Sequence, residues 1–281
     1  MKKIFNLIFL SLLGCLLCGL PSEAQNRTLK IISLAPSTTE ILFALGLGGQ
    51  IIAVSQFCNY PPEALTKKKT GTFSDPNIEI ILSLKPDIIF CTGLEQAPVI
   101  EKLKKLNLNI YVSDPKDIEG LLKSIEEIGL LTGRQKEAAS LIENMRKELE
   151  IIRKKTDSIA KDKRRKVFIE IWHDPLLTAG QGSFIDEMIA YAGGINIAHD
   201  TIRPFSCFSP EQVIKRNPDC IIIGYMNEKK SIELIKNRPG WQQISAIIHN
   251  RIYDDIDPNL FLRPGPRVIL GIKKLYERIN A

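Results

Sequence analysis

The chain has 281 residues, is 44% hydrophobic and 25% charged, and carries a formal net charge of +6 from 38 Lys+Arg against 32 Asp+Glu. Those are the values of an ordinary globular chain, and they exclude a disordered, collagen-like or long coiled-coil protein. The length allows one large domain or two medium ones, and so mild a positive balance argues against a nucleic-acid binder.

Met1-Lys2-Lys3 is a basic start, Ile4 to Leu20 is almost wholly apolar, and small residues precede Gln25. This reads as a secretory signal peptide over residues 1–24, cleaved after Ala24. The alternative is a lipoprotein signal, because Leu12-Leu13-Gly14-Cys15 resembles a lipobox that would lipidate Cys15. The mature protein is expected in the periplasm, or anchored through Cys15 on the second reading. Cys58, Cys91, Cys207 and Cys220 remain in the mature chain, at spacings that match no zinc motif. An exported chain permits disulfides, and the sequence leaves their pairing open.

Strand and helix signals then alternate. Lys30–Leu34 reads as a strand, and Ser37-Thr38-Thr39-Glu40 has the capping-box form that opens a helix through Leu45. Strands follow at Ile51–Val54, Asp87–Cys91 and Asn109–Val112. Between them lie a helix opened by Asp75-Pro76 and one on the Val99, Ile100, Leu103 and Leu106 face, and after them comes one from Ile118 to Leu131 stopped by Gly133. Alternation at this spacing predicts parallel βαβ units. From Arg134 to about Lys161 the pattern changes to a single apolar stripe of Ala138, Leu141, Met145, Leu149, Ile152 and Ile159, the signature of one long helix. Alternation resumes with a strand at Lys166–Ile171, helices at Ser183–Tyr191 and from Ser209-Pro210, a strand at Cys220–Ile223, a helix near Ser231–Lys236, a strand at Arg251–Asp254 and a last helix from Pro266. The expected architecture is α/β: an N-terminal lobe over 25–132, a bridging helix over 133–163 and a C-terminal lobe over 164–281. The positive charge sits on the bridge, since Arg134 to Lys166 holds twelve basic and six acidic residues.

The two lobes contain a related segment. A short helix runs into Pro86-Asp87 in the first and Pro218-Asp219 in the second, and a glutamate, Glu79 or Glu211, stands seven residues before each proline. An exposed first-turn carboxylate has a modest dipole role. Matched registers in two lobes suggest more, a two-point docking surface for a basic partner.

Catalytic signatures are absent. His173, His199 and His249 have no metal-ligand spacing, and there is no nucleophile elbow or phosphate loop. A metal-dependent enzyme is therefore the disfavoured reading. Aromatic residues instead gather in segments that should follow strands: Phe57, Tyr60, Phe73, Trp172 with His173, Phe205, Phe208 and Phe261, with Asp257 and Arg263 nearby. Ligands of open α/β sheets bind beyond the carboxyl ends of the strands, and an aromatic lining suits a large, partly apolar ligand.

Five segments carry a family resemblance: Ile31-Ile32-Ser33-Leu34-Ala35-Pro36-Ser37-Thr38-Thr39-Glu40, Asn59-Tyr60-Pro61-Pro62, Leu84-Lys85-Pro86-Asp87, Ser209-Pro210-Glu211-Gln212 and Arg263-Pro264-Gly265-Pro266-Arg267. In this order they resemble the periplasmic substrate-binding proteins for cobalamin and iron chelates, most closely the cobalamin-binding members. The resemblance implies two Rossmann-like lobes joined by one bridging helix (the class III, helical-backbone type), no catalytic activity and no cofactor. It also implies a ligand between the lobes and delivery to an ABC permease through Glu79 and Glu211. Tyr60, Phe73 and Phe205 fall where cobalamin-binding relatives line the cleft. Phenylalanine at the last two departs from the tryptophans of such a relative, keeping an apolar wall but losing the indole N–H. Trp172, His173, Asp257 and Arg263 complete the expected ligand-binding set, with His173 a candidate axial ligand for cobalt or iron. Cobalamin is the expected ligand. A ferric siderophore or haem is the alternative, disfavoured for anionic chelates because Arg203 and Arg263 are the only evident cleft cations. The protein is expected to act as a monomer without nucleic acid.

Overall fold

The computed structural model describes residues 28–93, 96–225 and 231–281. The expected signal segment, with Cys15 and Ala24, lies outside the described residues.

Five parallel strands form the first sheet: β1 (Ile31–Ser33), β2 (Ile51–Val54), β3 (Lys68–Lys69), β4 (Ile88–Cys91) and β5 (Ile110–Val112), in the order β3-β2-β1-β4-β5. Helices α1 (Pro36–Ala44), α2 (Ile78–Leu84) and α3 (Ala97–Lys105) lie between them, α4 (Ile118–Thr132) follows β5, and Gly133 ends α4 in the left-handed region at φ 70°. Helix α5 (Gln135–Asp157) then runs for 23 residues to the second half of the chain. There, β6 (Lys166–Glu170) begins a second sheet. It is followed by β7 (Trp172–His173), β8 (Leu176–Ala179), α6 (Phe184–Tyr191), β9 (Ile195–Asn196), β10 (Phe205–Cys207), α7 (Pro210–Arg216) and β11 (Cys220–Ile223). The chain closes with α8 (Ser231–Lys236), α9 (Ser245–Ile248), β12 (Ile252–Tyr253), α10 (Asn259–Leu262) and α11 (Val268–Ile279). The second parallel sheet has the order β12-β11-β6-β9.

The two sheets repeat one plan. A central pair, β1 with β4 or β6 with β11, is flanked by β2 and β5 in one lobe and by β9 and β12 in the other. The central strands β1, β4, β6 and β11 are buried on both faces, so they read as continuous apolar runs. Their side chains alternate between two cores. Ile31, Ile88 and Phe90 face the same buried cluster as Val167, Ile169, Cys220 and Ile222, and Met145, Leu149 and Ile152 of α5 belong to it too. Ile32, Ile89 and Cys91 pack on the far side of the first sheet, and Phe168, Ile221 and Ile223 on the far side of the second. One core therefore runs through both lobes by way of the bridging helix.

The duplicated segments match joint by joint. Asn77 caps α2 by accepting from Ile80 N, and Ser209 caps α7 by accepting from Gln212 N. Each helix ends on a left-handed residue, Lys85 at φ 49° and Asn217 at φ 47°. A carboxylate then clasps the neighbouring strand: Asp87 Oδ2 accepts from Lys30 N at 2.8 Å, and Asp219 Oδ2 accepts from Lys166 N at 2.8 Å.

Three local expectations are corrected. Asp75 is not the cap of α2: residues 71 and 76 form an isolated bridge that keeps the approach extended, and the helix starts two residues later, capped by Asn77. Ser37 and Glu40 form no capping box. Pro36 takes the first helical position, Ala35 becomes the cap residue without a side-chain bond, and Glu40 is left in the helix body. The bridging helix stops at Asp157 rather than near Lys161. The sequence also gave no sign of the antiparallel sheet β10-β8-β7, whose strands have two to four residues and so almost no periodicity to read. Cys58, Cys91 and Cys220 are buried free thiols, and Cys207 is free and exposed.

Candidate functional site

In each sheet the chain moves outward to one side and then returns to start the other, so the strand order reverses between β1 and β4 and between β6 and β11. Such switch points open a crevice beyond the carboxyl ends of the strands. Most of the candidate residues lie there.

In the first lobe, Gln96 is fully buried and joins three strand-end segments. Its Oε1 accepts from Thr92 N (2.8 Å) after β4, while its Nε2 donates to Leu34 O (3.2 Å) after β1 and to Phe73 O (2.8 Å). Gln96 thus holds the segment that carries Phe73. A Gln96→Leu change would strand these buried groups, and a loss of about 1–3 kcal/mol is expected. Urea unfolding together with amide exchange across residues 70–77 checks it. An unchanged midpoint and unchanged exchange would mean the segment is held by other contacts.

In the second lobe, Glu170 ends β6 with no exposure. Arg238 donates to it through two bonds of 2.9 and 2.7 Å, and the Tyr225 hydroxyl also donates to it. Burial, and then the Glu170 charge, push the Tyr225 phenol well above its ordinary range, so it stays a neutral donor. The Tyr225 ring meets those of His173 and Trp172 at centroid distances of 5.4 and 6.2 Å. Across the antiparallel sheet, Trp172 pairs with Leu177 and Leu177 with Cys207, two residues beyond Phe205. The pleat places Trp172, Phe205 and Cys207 on one face of that sheet, and all three are exposed.

A third cluster joins the lobes. Glu40 of α1 is 4% exposed. Arg267, just before α11, grips it with Nε–Oε2 at 2.8 Å and Nη2–Oε1 at 2.6 Å. That bond raises the Arg267 pKa above its ordinary value. Arg267 Nη1 is 3.7 Å from Asp257 Oδ2, and its guanidinium carbon lies 3.8 Å from the centre of the Tyr60 ring. Arg263 donates to Asn59 Oδ1 at 2.7 Å and to Phe57 O at 3.3 Å, and it stands 4.0 Å from Glu40. Burial, opposed by Glu40, lowers its pKa. Tyr60, Asp257 and Arg263 are thus brought together, with Arg263 engaged by first-lobe groups.

Exposure separates the aromatic candidates. Phe57, Tyr60, Trp172 and Phe205 are 38–56% exposed, too open for core residues of their size, whereas Phe208 and Phe261 are buried in the core. Glu79 and Glu211 are both exposed, each the second residue after its cap. Sequence reasoning missed Glu40 as a tie, Gln96, Glu170, Tyr225 and Arg238. Glu170 carried a signal, an acidic residue at the end of an apolar strand. Two shallow grooves, of about 510 and 710 Å3, lie elsewhere, along α5 beside Glu119 and Arg146, and none of the candidate residues lines them. Among the described residues no group of three His, Cys, Asp or Glu could hold a metal.

Comparison with known proteins places this arrangement. The profile of the family described as periplasmic binding protein matches residues 31–258. An uncharacterized ABC transporter substrate-binding lipoprotein, YvrC of Bacillus subtilis (strain 168), is 36% identical over 255 residues, covering 89% of this chain and 79% of that one. The vitamin B12-binding protein of Pectobacterium carotovorum subsp. carotovorum (strain PC1) is 30% identical over 272 residues, covering 96% and 94%. The crystal structure of a possible iron-binding (periplasmic solute-binding) protein from Staphylococcus epidermidis ATCC 12228 superposes with a TM-score of 0.78 at 32% identity, covering 90% and 98%. With its two α/β lobes and single bridging helix, the chain belongs to the periplasmic binding protein family, as a substrate-binding protein of the ABC transporter kind and not an enzyme.

Proposed function

We propose that this protein captures a corrinoid, cobalamin foremost, between its lobes and delivers it to an ABC permease that it meets through Glu79 and Glu211. One observation carries the reading: exposed aromatic rings, Tyr60 from one lobe and Trp172 and Phe205 from the other, stand beyond the strand ends of a chain that aligns nearly end to end with a vitamin B12-binding protein. Broad apolar rings beside arginines already answered by Glu40 and Asp257 suit a large ligand of low charge. The lobes span 25–132 and 164–281, the connection over 133–163 consists of α5, which ends at Asp157, and the short segment after it, and the protein acts as a monomer. It is exported with cleavage after Ala24. Lipidation at Cys15 is the second route, and the lipoprotein name of the Bacillus subtilis relative supports it.

A ferric siderophore or haem is the second reading, favoured by the iron-binding description of the Staphylococcus epidermidis structure. Calorimetric and spectroscopic titration of the mature protein with cyanocobalamin, haemin and a ferric siderophore separates the two. Saturable one-to-one binding of cyanocobalamin is expected. Silence toward cyanocobalamin beside tight binding of a ferric chelate would reverse the assignment.

A further inference from the structure

The segment Arg263-Pro264-Gly265-Pro266-Arg267 belongs to the second lobe, yet both of its arginines end in the first. Gly265 is buried against α1: a Cβ there would stand 3.3 Å from Glu40 Oε2 and 3.4 Å from Ser37 O, so the segment approaches α1 closely and leaves little room for a side chain. Arg267 is seated on two sides. A two-bond fork to the Glu40 carboxylate fixes the plane of the guanidinium as well as its position. The guanidinium carbon lies over the Tyr60 ring, 3.8 Å from the ring centre. Tyr60 itself keeps 42% exposure, so part of its side chain stays accessible to a ligand.

We infer that Arg267 is a positioning residue of the ligand cleft, which sets the direction of the Tyr60 ring and does so only while Glu40 holds it across the lobe boundary. A ligand stacking on the accessible part of Tyr60 meets a ring already held by a cation, so less conformational freedom is lost on binding. A lysine at 267 would retain the charge and lose both the fork and the plane. The ligand part of this inference rests on the proposed function. The coupling of Glu40, Arg267 and Tyr60 does not.

The test combines Arg267→Lys, Glu40→Gln, Tyr60→Ala and the double variant Arg267→Lys/Tyr60→Ala, each titrated with cyanocobalamin and with haemin. Arg267→Lys and Glu40→Gln should each weaken whichever probe the wild-type protein binds by about tenfold. In the Tyr60→Ala background Arg267→Lys should add less than about twofold, because the residue through which it acts is gone. Equal losses in both backgrounds would overturn the positioning role. If the wild-type protein binds neither probe, the proposed function fails and amide exchange on the ligand-free chain decides this inference alone. Arg267→Lys should speed exchange in residues 36–45 and 56–60 and leave the second sheet unchanged. Unchanged exchange in those two segments would overturn it.

Discussion

Replacing Glu170 with alanine is expected to destabilise the protein by about 3–5 kcal/mol, the range for removing one partner of a buried ion pair. The carboxylate has no exposure, and it answers a guanidinium that is itself only 15% exposed, with bonds of 2.9 and 2.7 Å. Its removal leaves Arg238 charged against the buried ring of Trp241, 4.2 Å away, and leaves the Tyr225 hydroxyl without its acceptor. For a chain of this size the melting temperature should fall by roughly 6–20 °C. Glu170→Gln should cost less, since the amide oxygen still accepts from Tyr225 and from one Arg238 nitrogen. Because the Tyr225 ring abuts Trp172 and His173, the near-ultraviolet circular dichroism of the alanine variant should change as well. A loss under about 1 kcal/mol in urea unfolding would show that the carboxylate is dispensable. The cluster also has a pH signature. Folding raises the Tyr225 pKa, so the stability linked to that group is complete below the unfolded value of about 10 and is lost as pH rises through the folded value. No part of this loss falls between pH 7 and 9.

The second large effect concerns delivery. In the Glu79→Ala/Glu211→Ala double variant, ligand uptake through the permease should disappear, with affinity for the permease down at least about 100-fold. Cyanocobalamin affinity should stay within about twofold of wild type. The reason is geometric. Each glutamate follows its cap by two residues, on a short helix joined to its sheet by the same left-handed exit and the same aspartate clasp. The two carboxylates therefore occupy equivalent places on equivalent lobes and are held by rigid joints. A hydrogen bond from its own backbone N–H, with another from Ser209, keeps Glu211 below the usual carboxylate range and hence ionised at neutral pH. Reconstituted transport with the cognate permease, read beside ligand titration, checks the prediction. A matching loss of ligand affinity would place these residues in the cleft and end the docking reading.

Much of the fold is legible from residue order because its signals are local. Strand β2 at Ile51–Val54, β11 at Cys220–Ile223 and helix α8 at Ser231–Lys236 fall where apolar runs and periodicity put them. The long helix follows from one stripe of Ala138, Met145, Leu149 and Ile152, all of which are buried. The paired registers of Glu79 and Glu211 could be counted against Pro86 and Pro218 and are matched by equivalent helical positions. The errors share one cause, which is that a local pattern can be satisfied in more than one way. Asp75-Pro76 has the form of a helix start, and so does Asn77 two residues on; the bridge between residues 71 and 76 selects the latter.

Residue order was thus sufficient for the repeated α/β plan, for the bridge and for the kind of residue that gathers at the strand ends, since each rests on propensity, periodicity or spacing over a few turns. It was silent on which polar groups meet. Glu40 and Arg267 are 227 positions apart, Glu170 and Arg238 are 68, and Leu34 and Gln96 are 62. Ser37-Thr38-Thr39-Glu40 looked like a cap for its own helix, and the carboxylate proved to be the anchor of an arginine from the other lobe. Such pairs exist only once the sheets have closed and water has left the space between them, because exclusion of water is what makes a carboxylate choose a lasting partner over solvent.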